Sequence, residues 1–267
     1  MAILCSTGVR SKAPLEQALS DIAAAGFSLL DLLAFEGWAH IAPSTLADCF
    51  DQTCAHVQGL LARHNLRVGA LNSGLGIPSF DRSPTAQDRR RRETEALLRL
   101  AKHLGAAVVA VQAGRPDPDI EWETLFRAST ATLRELAEMG RQHGVTVALE
   151  MHVHALFETP ELGRRLLEAL PELALAYDPS HFVMQGIPIR ETAWLLDHAA
   201  HVHLRDAAPG RMMVPFGEGQ VDFDWLLGAL KERGYTGHVA IEYLETDEFD
   251  ALDSALRLRE ALERRLS

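Results

Sequence analysis

Four short segments in the second half of the chain end an apolar run on a residue able to bind a cation: VALEMHVH at Glu150, ALAYDPSH at Asp178, HVHLRD at His203 and VAIEYLE at Glu242. Three carboxylates and one imidazole make a hard donor set. It suits Mn²⁺, Mg²⁺, Co²⁺ or another divalent ion such as Zn²⁺, bound with positions open for substrate oxygens, better than the thiolate sites of structural zinc do. An acid closing an apolar strand is costly to bury unless a positive group meets it, which singles out Glu150 and Glu242. Each residue taken alone also has a plainer role. Glu150 fits a solvated position at a loop start, and Asp178 stands where a run stops and a turn begins, as helix-capping residues do. His201 and His203 are two apart and share one face of their strand. One is expected to be a satisfied core histidine; ligation is assigned to His203, nearer the strand's C-terminal end.

Residues this far apart in sequence meet only if the ends of their strands converge. Short apolar runs alternate with longer segments of helical period, the pattern of repeated βα units. Strands are expected at Ile3 to Cys5, Leu29 to Leu33, Arg67 to Leu71, Ala107 to Gln112, Thr146 to Glu150, Leu173 to Tyr177, Val202 to Leu204 and Val239 to Glu242. Helices are expected between and after them, at Leu15 to Ala25, Thr45 to His64, Ala86 to Leu104, Trp122 to His143, Pro160 to Leu170, Arg190 to His198, Phe223 to Arg233 and Phe249 to Arg264. Gly26, Gly105, Gly144 and Gly234 stand where helices should stop in a left-handed cap. Eight regular units in 267 residues match the roughly 250 of a closed barrel. The expected fold class is therefore α/β, a single (β/α)8 TIM barrel forming one domain over residues 1–267. An open nucleotide-binding sheet is disfavoured, because the turn after the first strand, Cys5-Ser6-Thr7-Gly8, carries no GxGxxG and the chain has no GxxxxGK[ST]. Barrel active sites lie on the strand-to-helix side, where the run from Ala208 to Gly219 is long enough to act as a lid.

Composition bounds the partners. The chain is 47% hydrophobic and 24% charged with a net charge of −11, so no diffuse basic field draws it to nucleic acid or anionic lipid. The opening MAILCSTGVR is too short and polar for a secretory signal, and no run reaches the roughly 18 apolar residues of a membrane span. A cytoplasmic protein is expected, with Cys5, Cys49 and Cys54 as reduced thiols. The run Arg89 to Arg92 fans around a helix and reads as a solvated face. Lysine occurs only at Lys12, Lys102 and Lys231, so no Schiff-base mechanism is evident. Trp38, after the second strand, offers a flat apolar wall for a substrate ring or a packing contact; Glu36 and His40 share its loop. Asn72 and Gln112 end the third and fourth strands and are able to hydrogen-bond hydroxyls.

LEMH with Glu150, YDPSH with Asp178 and His181, HVHLRD with His203, FGEGQVDF and GHVAIEYLE with Glu242 together resemble the xylose isomerase-like TIM barrels, a family of sugar isomerases, ketose 3-epimerases and inosose dehydratases. The resemblance spans essentially the whole chain. It implies Glu150, Asp178, His203 and Glu242 as ligands of one divalent metal, with His181 and Arg205 approaching substrate oxygens. It also implies that Glu150 and Glu242 move protons on either side of a sugar or polyol, next to its carbonyl, through a metal-stabilised enediolate. His152 and His154 give the fifth strand's end an imidazole-rich character closer to the dehydratase-like members, which keeps a metal-dependent dehydratase open. Two remoter readings are an endonuclease for abasic DNA, which the acidic balance opposes, and a sugar-binding barrel without turnover. The resemblance also makes a homo-oligomer, paired through outer helices, an expectation.

Overall fold

A computed structural model describes residues 1–266. Its strands are β1 Ile3–Ser6, β2 Leu29–Phe35, β3 Ala39–His40, β4 Arg67–Gly74, β5 Val108–Gln112, β6 Thr146–Glu150, β7 Ala174–Tyr177, β8 Ala199–Leu204 and β9 Val239–Ile241. All but β3 pair in parallel with their neighbours, and β1 pairs with both β2 and β9, so eight strands close into a barrel. β3 is a two-residue antiparallel addition to the end of β2. Around the barrel lie α1 Leu15–Ala24, α2 Pro43–Asp48, α3 Phe50–Arg63, α4 Pro84–Leu104, α5 Trp122–His143, α6 Pro160–Ala169, α7 Pro179–Met184, α8 Phe223–Glu232 and α9 Ala251–Leu266.

The helices form for the reason the spacing suggests. α5 buries Leu125, Phe126, Ser129, Leu133, Leu136 and Gly140, a stripe at i, i+3, i+4 and i+7. At Gly140 a Cβ would stand 2.5 Å from the Val145 carbonyl oxygen, so the close approach of helix to strand requires glycine there. All four glycines expected as helix stops take positive φ: 80° at Gly26, 75° at Gly105, 71° at Gly144 and 64° at Gly234.

Four expectations need correction. The helix expected over Thr45 to His64 is two helices, because Cys49 leaves helical geometry at φ −130° and ψ 45°. The segment Ile189–His198 is a 3-10 helix, whose period the apolar spacing does not separate from an α-helix. α7 was not expected; the Asp178 carboxylate caps it by accepting from the Ser180 amide at 2.7 Å. β2 and β4 also run further than expected, since they pair with each other from Leu29↔Arg67 to Phe35↔Gly74.

The period of two sorts the barrel's inward face into layers. Leu4, Ala70, Ala110, Ala148, Ala176 and Ala240 belong to one small cluster inside the barrel. Two residues further along their strands stand Asn72, Gln112, Glu150, Asp178 and Glu242. A layer of alanines leaves room beneath a layer of long polar side chains. Large apolar residues such as Leu32, Leu71, Leu149 and Leu175 alternate with them and belong to the outer core, shared with helix residues such as Leu97 and Leu133.

Candidate metal centre and active site

Glu150 ends β6, Asp178 follows β7, His203 lies one residue before the end of β8, and Glu242 follows β9. All four are at least 95% buried, and one donor atom from each lies within 4.8 Å of the others. His203 Nδ1 stands 2.8 Å from Glu150 Oε1 and 3.5 Å from Glu242 Oε2. Arg205 reaches into the same cluster, with Nη2 2.7 Å from Asp178 Oδ2 and Nη1 3.1 Å from Glu242 Oε2. Its Nε donates to Ser180 Oγ at 2.8 Å, and Nη2 stands 3.1 Å from His181 Nε2. His152 packs against His181 with ring centroids 4.1 Å apart and the planes tilted by 48°, and its Nδ1–H donates to the Val153 carbonyl at 2.6 Å. Seven of the residues singled out in sequence therefore meet. Trp38 does not join them: it is half-exposed and packs on Phe35 at 4.9 Å, at the end of β2.

The electrostatics divide the two glutamates. Burial alone would raise Glu150, yet hydrogen bonds and charge from His181 and His203 outweigh it and hold the carboxyl well below the usual range. Glu242 goes the other way. Burial, aided by the like charges of Glu150 and Asp178, pushes it up to about 8 against the pull of His203 and Arg205. Burial acts to lower His203, but Glu242, Asp31 and Glu150 together raise it well above the ordinary histidine range. Asp178 is buried too, and Arg205 is the main influence that nevertheless keeps it low.

The donor set fits a divalent cation. Three carboxylates share a space of a few ångströms with Arg205 and His203 as the adjacent positive groups, and Glu242 Oε2, though ion-paired with Arg205, accepts no well-formed hydrogen bond. Hard oxygen ligands with one imidazole are those that Mn²⁺, Mg²⁺, Co²⁺ and Zn²⁺ accept.

Several neighbours have roles the sequence did not disclose. Asn72 Nδ2 donates to Glu242 Oε1 at 2.6 Å and Gln112 Nε2 to Glu150 Oε2 at 2.8 Å, so these amides orient the glutamates. Asp31 is fully buried on β2, its Oδ2 3.4 Å from His203 Nε2. Its signal was an acid within the apolar run LLDLLAF. Glu36 accepts from the backbone and hydroxyl of Ser44 at the start of α2, and His40 bonds Thr7 Oγ1 and the Arg10 carbonyl, so both serve their own loop. His154 is exposed at φ 64°.

The segment expected as a lid is tied down. Asp206 accepts from the amides of Gly217, Gly219 and Val221 at 2.9, 3.0 and 3.3 Å, and its own carbonyl accepts from Val214. A Cβ at Gly219 would collide with that carboxylate. These bonds hold the loop against the end of β8. At the opposite end of the barrel a cavity of about 610 Å³, lined by Thr146, Arg233 and Tyr235 among others, gathers no comparable set of ligands.

Fold and site together define a (β/α)8 barrel with a candidate metal centre at the C-terminal ends of its strands. The chain belongs to the xylose isomerase-like TIM-barrel family, whose model matches residues 19–264. It is 27% identical over 171 residues to an inosose dehydratase of Bacillus licheniformis, covering 55% of each chain. It is 33% identical over 128 residues to the L-ribulose-5-phosphate 3-epimerase UlaE of Escherichia coli, covering 46% of this chain and 45% of the relative. The chain thus spans about half the length of each of these relatives. A solved xylose isomerase-like barrel from Mycobacterium smegmatis in complex with magnesium superposes with a TM-score of 0.78 at 17% identity, covering 98% of this chain and 96% of that one. At that identity the likeness is one of fold. No helix among the described residues is long and apolar enough to cross a membrane.

Proposed function

We propose that this protein is a divalent-metal-dependent isomerase or epimerase of a sugar, sugar phosphate or inosose, acting by proton removal next to a carbonyl. The observation that carries this reading is the convergence of Glu150, Asp178, His203 and Glu242 in one buried cluster, two of whose carboxylates belong to glutamates. Two carboxylates in one site can act in turn as base and acid. Of the pair Glu150 and Glu242, one carboxylate takes the proton and the other returns one, from opposite sides of the bound sugar. A divalent ion held by Glu150, Asp178, His203 and Glu242 would stabilise the enediolate charge on the substrate's carbonyl and neighbouring hydroxyl. Gln112 and Asn72 fix the two carboxylates, and His181 and Arg205 line the site where substrate oxygens enter. The magnesium-bound relative and the epimerase and dehydratase relatives support this reading.

Where the proton returns decides the product. Return to the opposite face of the same carbon gives an epimer, and return to the adjacent carbon gives an isomer. Dehydration is the second reading, favoured by His152, which lies beside Glu150 and His181: with Nδ1–H donated to the Val153 carbonyl, its Nε2 carries a lone pair and can serve as the base of an elimination. A panel of ketoses, their phosphates and inososes, incubated in D₂O with the metal-loaded protein, separates these outcomes. Deuterium at one carbon with product epimer or isomer is expected; loss of water identifies the dehydratase. Absence of both exchange and dehydration across the panel contradicts proton-transfer catalysis.

A further inference from the structure

Below the four candidate ligands lies a second polar group, sealed inside the barrel. Asp31 is 0% exposed, and both of its carboxylate oxygens lack a hydrogen-bond partner. His203 Nε2, 3.4 Å from Asp31 Oδ2, lacks one as well. Among the described residues His203 supplies the only basic nitrogen recorded within 4.0 Å of this carboxylate. Leu4 and the alanines of the same layer offer no polar alternative; His201, whose Nε2 is also unpartnered, brings a ring nitrogen within 4.8 Å but not within 4.0 Å, as His203 does. A fully buried carboxylate is costly to keep in a fold without a donor, so Asp31 needs one, and Nε2–H is the donor at hand.

The opposite edge of the same ring faces the cluster, with Nδ1 toward Glu150 and Glu242. A neutral imidazole carries one proton and one free lone pair. For Nδ1 to present its lone pair to a cation, the proton must sit on Nε2, and a carboxylate facing Nε2 selects that tautomer and fixes the ring plane. We infer that Asp31 is a positioning residue that holds His203 with Nε2–H toward the barrel interior and Nδ1 toward the candidate metal site. The inference rests on the metal-site reading above and assigns the centre a support from the first half of the chain, on β2, opposite the strands that carry the ligands. His201, one layer deeper on β8, packs edge-on against His203 at 4.9 Å and fixes the ring's other side.

The test uses Zn²⁺ and the metal-free full chain. Calorimetric titration of the wild type is expected to give one ion per chain, abolished or severely weakened by His203→Asn. Asp31→Asn, which keeps the shape, and Asp31→Ala are each expected to weaken Zn²⁺ about 10–100-fold at unchanged stoichiometry, the asparagine less, since its oxygen still accepts from Nε2–H. In ¹⁵N-histidine-labelled, Zn²⁺-loaded wild type, His203 should carry its proton on Nε2, and Asp31→Ala should broaden or shift that signal while the far-UV spectrum remains that of the wild type. Wild-type affinity in both variants overturns the inference. So does a His203 proton on Nδ1, or binding of two ions by the wild type and one by the Asp31 variants, which would make Asp31 a ligand. Binding unaffected by His203→Asn, or none at all in the wild type, instead removes the metal-site reading beneath it.

Discussion

The two halves of the barrel equip its mouth with different chemistry. The strands after α5 contribute Glu150, Asp178, His203, Arg205 and Glu242, all charged or chargeable. The strands before it contribute Asn72 and Gln112, neutral amides that donate to Glu242 across the barrel and to Glu150 on the adjacent strand. An amide holds a carboxylate's orientation without bringing a charge to compete with a cation or a substrate. The charged half therefore supplies the candidate ligands, and the neutral half holds two of them in register; Asp31 is the one acid of the first half within this assembly, facing the underside of His203.

The largest expected effect of breaking that division lies in the charged half. Glu150→Gln and Glu242→Gln should each lower the rate of solvent-deuterium exchange by about 10²–10⁴-fold, the usual contribution of a positioned acid or base. A loss confined to one of the two would show that a single carboxylate moves both protons. Next, Arg205→Met removes a buried partner of Asp178 and Glu242 and should cost about 3–5 kcal/mol in urea denaturation of the metal-free protein. Adding a divalent metal should recover part of that loss, because a cation replaces the missing charge.

A third test uses pH. Glu242, raised to about 8 chiefly by burial, and His203, raised by its acidic neighbours against burial, both hold protons at neutral pH in the metal-free protein. A metal must displace those protons, so apparent affinity should rise as pH increases from 6 to 8, by up to about tenfold per unit for each proton released. Calorimetry in buffers of different ionisation enthalpy reads the release directly; no release would place the metal elsewhere.

The neutral half should give smaller effects. Asn72→Leu and Gln112→Leu each remove a hydrogen bond to a buried carboxylate, worth about 1.5–3 kcal/mol, and should reduce turnover roughly ten- to a hundredfold without abolishing it. If either matched the glutamate variants, the amides would belong to the reaction itself. The smallest change is expected on the α4 surface: Arg91→Ala breaks an exposed pair with Asp88 and should alter stability by less than about 0.5 kcal/mol.

Much of this was legible in the sequence because charge at the end of an apolar run stands out. Glu150, Asp178, His203 and Glu242 each close such a run, and the alternation of runs with amphipathic helices suffices for the barrel. Asn72 and Gln112 were visible as strand ends, but a single amide does not say whether it faces substrate or a carboxylate 38 or 170 residues away. Asp206 was silent for a related reason: the amides it accepts come from 11 to 15 residues further on, in a loop with no periodicity. The break at Cys49 and the 3-10 segment at Ile189–His198 keep helical apolar spacing, so backbone geometry alone distinguishes them. Asp178 shows that a plain role and a functional one can coexist, since one oxygen caps α7 while the other faces Arg205 in the cluster.

The most direct test of the central claim is a crystal structure of the Mn²⁺-loaded protein with anomalous scattering recorded at the manganese edge. One peak at the mouth of the barrel, coordinated by Glu150, Asp178, Glu242 and His203 through Nδ1, is the predicted result. A peak elsewhere, or none at a Mn²⁺ concentration that supports turnover, would contradict it.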